Sequence, residues 1–503
     1  MPDLTTPEST SGRRRWILAA LFVLGLAVRL VDLDSPGVLV DRDYTSAMFA
    51  RHYYFDGRTD VAEWRRTIAA EQVARQPILE PPVTEWIASL AYRVAGRDDI
   101  RLGRLVTITF WMIGGWFFFL LARRLTGEHA AFIAVAYYLF TPAAVLLSRS
   151  FQADALMMLL FIASLLAIVR HHEAPSRWTL AVAAIVSALT LVYRPLVMPA
   201  VVLAFVLPVV QAAGWKRGLF GRPSLIFVLA ATAPALAYYG YGSFVARYFQ
   251  WKLTSSFMFS LYGHREFWRE WFLIALSELG VTFLILAILG VALLARGLAR
   301  TIVVALGLGY LVFGLAFTYH IHTHGYYQAQ ALVAVGLAAA PAVLLLARRA
   351  NEDRSRWVRL LPFVGAIVLA GSWWSEWRSR MSVTRMEPPA VAQEIGELVR
   401  HSDRVVFLSP YYGLALQYLG EFTGQYWPRG STYWLYRPAG ERPRTLTERM
   451  GALPFEPEYF VITHFPEYAA NHADLRQYLE SNCLPVAMTA QYHIYGSCRK
   501  PGS

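Results

Sequence analysis

Charge is what this sequence has least of. Only 16% of its 503 residues are Asp, Glu, Lys or Arg, against about 25% in soluble domains. The shortage is local. It falls in blocks of roughly 16–22 apolar residues, the length that crosses a hydrocarbon core of about 30 Å. The blocks recur over the first three quarters of the chain, which excludes an ordinary soluble protein there. No GxGxxG or P-loop stretch is present, so no nucleotide-phosphate cradle is signalled. No internal repeat or low-complexity segment interrupts the pattern. No small-residue cleavage site follows the first apolar run, "RRRWILAALFVLGLAVRL", which excludes a cleaved signal peptide and predicts an uncleaved first transmembrane helix. Cysteine is scarce. Cys483 and Cys498 are the two present, both in the tail, where an oxidising compartment would let them pair and two free thiols are the equal alternative.

What remains has a clear order. Apolar spans are predicted near 15–34, 103–122, 130–148, 154–169, 178–193, 196–213, 225–243, 273–294, 301–319, 328–347 and 357–374. The net charge of +12 comes from Arg and Lys in short loops between spans, not from a continuous basic face, so nucleic acid is not an expected partner. With Arg13, Arg14 and Arg15 inside, every alternate loop is short and basic, as the orientation rule requires. The N-terminus is then cytoplasmic and the tail extracytoplasmic, in a plasma (inner) membrane protein.

The outer segments are of another kind. The first, about 35–102, is long and predicted to hold helices lying in the interface through Trp64, Trp86 and Tyr92. Long loops in a compact protein are uncommon unless functional. From about Ser375 the character changes. "PPAVAQEIGELVRH" reads as an amphipathic helix, and "RVVFLS", "YFVITH" and "VAMTAQYHIYG" as strands. The expected fold is mainly α, a polytopic helix bundle over 1–374, with a small α/β domain over 375–503.

Candidate chemistry gathers at the outer ends of the spans. Asp41 and Asp43 flank Arg42 just past the first span, where apolar walls favour a raised carboxyl pKa suited to a general base. Glu80, fixed by the Pro pair of "EPPVTEW", is a second candidate base, or a helix-capping acid. Asp154 follows the third span and caps the next helix or binds substrate. Arg149 and Arg194 lie on the outer face against the orientation rule. A guanidinium fork matches phosphate oxygens, so lipid phosphate is the natural partner. "HIHTHGYYQAQ" puts His320, His322 and His324 on alternate residues of an extended segment. No acid or Cys is close in sequence, so His324, Tyr326, Tyr327 and Gln328 suit sugar or phosphate recognition better than zinc.

The run of "EPPVTEWIASLAYRVAG", "GRL", "LARRLTG", "SRSFQADALMM", "YRP" and "THGYYQAQ" resembles the bacterial family 39-like glycosyltransferases of GT-C fold. Protein O-mannosyltransferases and the aminoarabinose transferases of lipid A are among that family's relatives. The resemblance covers roughly residues 15–375 and rests on motif order more than on any one motif. It implies an inverting transfer of a sugar from a polyprenyl-phosphate donor to a hydroxyl of a lipid, glycan or protein. It implies no cofactor and no divalent metal, since arginine can hold the leaving phosphate. The family's acidic pair in the first outer loop is matched by Arg42-Asp43, and another branch places a Glu where Glu80 stands. Asp43 and Glu80 therefore both qualify as the base. His324, Tyr326 and Tyr327 match a late His-x-Tyr-Tyr segment, although the usual Leu-Pro after Gln is replaced from Ala329 on. The competing reading is a polytopic lipid or glycan transporter. Transporters favour repeats and polar groups near the bilayer midplane, whereas the spans here hold few ionisable residues.

Overall fold

The computed structural model describes residues 9–34, 40–78, 80–249, 256–294, 296–352, 387–428 and 445–498. These pack as two compact units. One takes its residues from 1–37, 78–82 and 104–380, the other from 38–77, 83–103 and 381–503.

The described residues of the first unit form helices joined by turns. Ser9–Leu30 (α1) carries the basic cluster Arg13, Arg14 and Arg15 in its first turns. Its one inward arginine, Arg29, is fully buried. Nε donates to Ser148 Oγ at 2.7 Å, and Nη1 to the carbonyls of Gly25 and Leu139 at 2.8 and 2.9 Å. A guanidinium in an apolar run needs such partners. Ile100–Thr126 (α5) has 27 residues, about 40 Å of helix. Glu128–Phe140 (α6) and Pro142–Arg149 (α7) follow at 56° to each other. The bend has a local cause: Pro142 lacks an N–H and pushes Thr141 into extended backbone (ψ 132°). Asp154–Glu173 (α8) leads to Arg177–Tyr193 (α9), opened by a capping box in which Ser176 and Thr179 satisfy each other's backbone N–H. Met198–Phe220 (α10), Arg222–Gly240 (α11), Arg265–Leu279 (α12), Val281–Leu293 (α13), Leu298–Ala316 (α14) and Ala329–Glu352 (α15) complete the unit. α12 and α13 meet at 89°, because Gly280 adopts φ +80°, a backbone that side chains disfavour. α9 packs on α8 and α11, α10 on α14, and α13 on α15.

By length and composition six described helices can cross a membrane, or eight if each bent pair is one span. Ten of the eleven predicted spans coincide with helices of this unit. The eleventh, 357–374, lies outside the described residues.

The second unit combines the helices Val40–Phe55 (α2), Glu63–Ala74 (α3) and Val83–Ala95 (α4) with the C-terminal α/β fold. Its strands are Val405–Leu408 (β1), Gly424–Tyr426 (β2), Tyr459–Ile462 (β3), Leu484–Met488 (β4) and His493–Gly496 (β5). They are ordered β2-β1-β3-β5-β4, with β1 parallel to β2 and β3, and β5 antiparallel to β3 and β4. Alternate residues of β1 feed opposite cores. Val405 and Phe407 pack with Ile395, Leu416 and Phe422; Val406 and Leu408 pack with Trp427, Leu475 and Leu479. The segment "VAMTAQYHIYG" is not one strand but a hairpin, turned at Thr489, whose hydroxyl receives the N–H of Tyr492. β2 is three residues long and carries no alternation to reveal it.

Of the three aromatics expected at the interface, Tyr92 is fully buried, whereas Trp86 and Trp64, the latter stacked on His401 at 4.1 Å, are exposed. Arg65 Nε reaches Glu421 at 2.8 Å, and Gln72 Nε2 donates to the carbonyls of Gln417 and Phe422 at 2.8 and 2.9 Å.

Cys483 and Cys498 form a disulfide across 15 residues of sequence. Closing a loop of that length stabilises the fold by about 3 kcal/mol in the chain-entropy account. Replacing both cysteines by Ser is expected to lower the unfolding transition of this unit by that amount. Thermal unfolding of the full chain, with and without reductant, checks it.

Candidate active site

Arg194, Asp154, Tyr239, Glu80 and Tyr327 all belong to the first unit. α9 ends at Tyr193 because Arg194 precedes Pro195 and is pushed out of helical backbone (φ −154°, ψ 107°). Tyr239 of α11 anchors this end, its hydroxyl lying 3.2 Å from the carbonyls of both Val192 and Tyr193. Arg194 Nη1 meets Asp154 Oδ1 at 2.5 Å, with both side chains almost wholly buried. Asp154 is the first residue of α8, so its carboxylate serves the helix dipole and the ion pair together. Its other oxygen, Oδ2, accepts no hydrogen bond among the described residues. Glu80 and Tyr327 also act electrostatically on Arg194, and Glu80 acts on Tyr239. Of the loop between α1 and α5, residues 78–82 are the part that packs with this unit, and Glu80 is their acid.

The His-rich segment differs from its expected shape. It is a helical turn, Thr318–Ile321, then a 3₁₀ turn, Gly325–Gln328, not an extended strand. Alternation therefore does not align the three rings. His320 Nε2 contacts Ser256 Oγ at 2.8 Å, His322 Nδ1 the Thr318 carbonyl at 2.7 Å, and His324 Nδ1 Thr323 Oγ1 at 2.6 Å. Among the described residues no three His, Cys, Asp or Glu gather for a metal ion. Tyr327 is buried beside Tyr326, ring centroids 4.4 Å apart. Gln328 serves the scaffold: Nε2 donates to the Ile321 carbonyl at 3.0 Å, and Oε1 accepts from Tyr310, whose hydroxyl accepts from Trp271 Nε1 at 2.7 Å.

The remaining candidates lie elsewhere. Arg149, last residue of α7, donates from Nη2 to the Asp32 carbonyl at 2.5 Å. Asp41, Arg42 and Asp43 form the first turn of α2 in the second unit; Asp43 is fully buried, the other two half-buried.

Sequence reading missed Glu278. It precedes the α12–α13 break, and its carboxylate lies against Gly325: a Cβ built there would sit 2.3 Å from Oε1. An acid inside an apolar run, two residues before a glycine, was the available signal.

Comparison with known proteins bears on the fold. The family model described as dolichyl-phosphate-mannose-protein mannosyltransferase matches residues 79–238, the stretch carrying Glu80, Arg149, Asp154 and Arg194. The fold is that of the GT-C membrane glycosyltransferases. ArnT from Cupriavidus metallidurans bound to undecaprenyl phosphate superposes with a TM-score of 0.59 at 14% identity, over 95% of this chain and 97% of that one. Its apo form gives 0.60 at 13% identity, over 97% and 98%. The oligosaccharyltransferase AglB from Archaeoglobus fulgidus, in complex with an inhibitory peptide and a dolichol-phosphate, gives 0.54 at 11% identity, over 96% and 74%. No curated protein sequence matches this chain.

Proposed function

We propose that this protein is an inverting glycosyltransferase that moves a sugar from a polyprenyl phosphate to an acceptor hydroxyl at the extracytoplasmic face of the plasma membrane. The observation that carries the reading is the buried Asp154–Arg194 ion pair, in the unit that also holds Glu80. It is supported by the GT-C fold and by structural neighbours that are bound to undecaprenyl phosphate or in complex with a dolichol-phosphate. The disulfide supports an oxidising compartment for the tail. The short basic loops support a cytoplasmic N-terminus.

Glu80 is the base. It takes the acceptor's hydroxyl proton as the oxygen attacks the anomeric carbon from the face opposite the phosphate. The new C–O bond forms, the bond from the anomeric carbon to the phosphate oxygen breaks, and polyprenyl phosphate leaves with its bonding pair. Arg194 links the two events. As Glu80 becomes neutral, the negative charge near the guanidinium passes to the departing phosphate. Asp154 holds Arg194 in place, so little reorganisation accompanies the charge shift. Arg149, held by the Asp32 carbonyl and apart from this group, is given no part in the step. Tyr326, Tyr327 and His324 offer aromatic faces and donors to the sugar. Asp43, with Asp41 and Arg42 beside it on α2, is the rival base, and parallel substitution of Glu80 and Asp43 in a transfer assay separates the two. No metal or cofactor enters the scheme.

Glu278 and Gly325 give an independent check. Adding a methyl group at Gly325 displaces the tip of a flexible side chain rather than backbone. Gly325→Ala is expected to cost less than about 1 kcal/mol of stability. Transfer should fall about tenfold or more, because the Glu278 carboxylate is pushed out of its place against the sugar-facing turn. Shortening the acid in the double variant Gly325→Ala/Glu278→Ala relieves the clash; transfer rates and melting curves of the two variants read the difference.

A further inference from the structure

The second unit holds a cleft of about 380 Å³ between α2, α3, the α4–α5 connection and the sheet domain. That volume falls in the lower part of the range for small-molecule sites, about 300–1,000 Å³. Its chemistry is unlike that of a lipid groove. Four guanidinium groups line it, from Arg51, Arg65, Arg97 and Arg101, against the three carboxylates of Asp98, Asp99 and Glu421.

Most of these groups are fixed before any ligand arrives. Arg51 is buried. Its Nε donates to Asp98 at 2.6 Å, its Nη1 to the Tyr418 carbonyl at 2.6 Å, and its guanidinium lies 3.6 Å over the Tyr418 ring. Arg65 grips Glu421 through two nitrogens. Burial would raise the Glu421 carboxyl, but Arg65 and Arg51 hold it below its usual value, so it stays an acceptor at neutral pH. Arg101 contacts both oxygens of Asp99 at 2.9 Å. Arg97 reaches the same carboxylate at 3.3 Å, with 64% of its side chain exposed. One acid thus serves two cations at the rim. Ile100 and Leu419 add apolar surface.

We propose that this cleft binds an anionic saccharide unit, a sugar ring bearing one carboxylate. A sugar hydroxyl both donates and accepts, which suits a wall that alternates guanidinium donors with carboxylate acceptors. The CH face of the ring suits the Ile100–Leu419 surface. The single negative charge answers the excess cation at Arg97. Three lining carboxylates disfavour a ligand of higher negative charge, such as a polyphosphate, through like-charge repulsion. Resting on the transferase reading, the cleft holds a unit of the acceptor glycan away from the reacting bond; the binding itself needs no donor and no turnover.

The test uses full-length protein in detergent, with D-glucuronic acid, D-glucose and acetate as probes in saturation-transfer NMR titrations at low salt. Glucuronic acid is expected to bind at least about tenfold more tightly than glucose or acetate, and more weakly as salt rises. Arg97→Glu should cut its affinity about tenfold or more with an unchanged melting temperature, since this side chain is on the rim. Equal binding of acetate and glucuronic acid reduces the cleft to a bare anion contact and overturns the proposal. Equal binding of glucose, retained affinity in Arg97→Glu, or absence of binding does so as well. A protein that fails to transfer sugar yet binds glucuronic acid in this way sinks the transferase reading and leaves the site.

Discussion

Glu80→Gln is expected to remove sugar transfer while leaving the protein folded and able to bind its lipid donor. The amide keeps the size of the carboxylate and loses its basicity. General-base catalysis contributes about 10²–10⁴-fold, so the residual rate should fall by at least that factor. Two features make the effect large. The Pro81-Pro82 pair leaves Glu80 little freedom to be replaced by a neighbour. Its negative charge also acts on Arg194, so the substitution removes the charge that would otherwise move to the phosphate. Asp43→Asn is the parallel measurement. If Glu80→Gln keeps near-wild-type transfer while Asp43→Asn loses it, the base is Asp43 and the first-unit site is a donor site alone.

The second large effect concerns stability as well as rate. Asp154 and Arg194 are both buried, 2.5 Å apart. Removing one partner leaves an unpaired charge, which typically costs about 3–5 kcal/mol. Asp154→Ala should therefore lower the unfolding transition strongly and reduce transfer, because Arg194 loses its fixed direction. Arg194→Ala should do the same and also weaken donor binding more than acceptor binding. Replacing both residues by Leu is expected to recover most of the stability, since a desolvated ion pair is often no better than apolar packing. It should recover no activity. A double variant that regains both would mean the pair is structural only. The readouts are melting in detergent, donor titration and transfer rate on the same preparations.

Helices were the part of this fold most open to sequence reading. A run such as that of α5 has one physical solution in a bilayer, where every backbone group must be satisfied internally. The breaks were harder. Pro142 and Gly280 sit inside apolar runs whose hydropathy hides the 56° and 89° bends they cause. The hairpin of β4 and β5 was read as one strand because its turn, Thr489–Tyr492, is held by a side-chain hydroxyl and contains no Gly or Pro. Long-range pairing was out of reach. Arg65 and Glu421 are 356 residues apart, and nothing local in either segment announces the other. The contacts that Trp64, Gln72 and Arg65 of the first loop make with the sheet domain were therefore not legible.

The site shows the same division. Asp154 and Arg194 were each visible as charges at the ends of apolar runs, but their mutual contact was not. Glu80 stood out by its Pro pair. Glu278 was hidden within a span, and the scaffold role of Gln328 depends on Tyr310 and Trp271 in other helices.

The most direct test follows the fate of a doubly labelled donor, with one isotope in the polyprenyl phosphate and another in the sugar, in proteoliposomes containing the full chain and crude envelope acceptor. The account predicts that the sugar leaves the lipid, appears on an acceptor with its anomeric configuration inverted, and releases one polyprenyl phosphate per transfer, all of it lost in Glu80→Gln. Recovery of intact donor moved to the opposite leaflet, or transfer with the configuration retained, would contradict it.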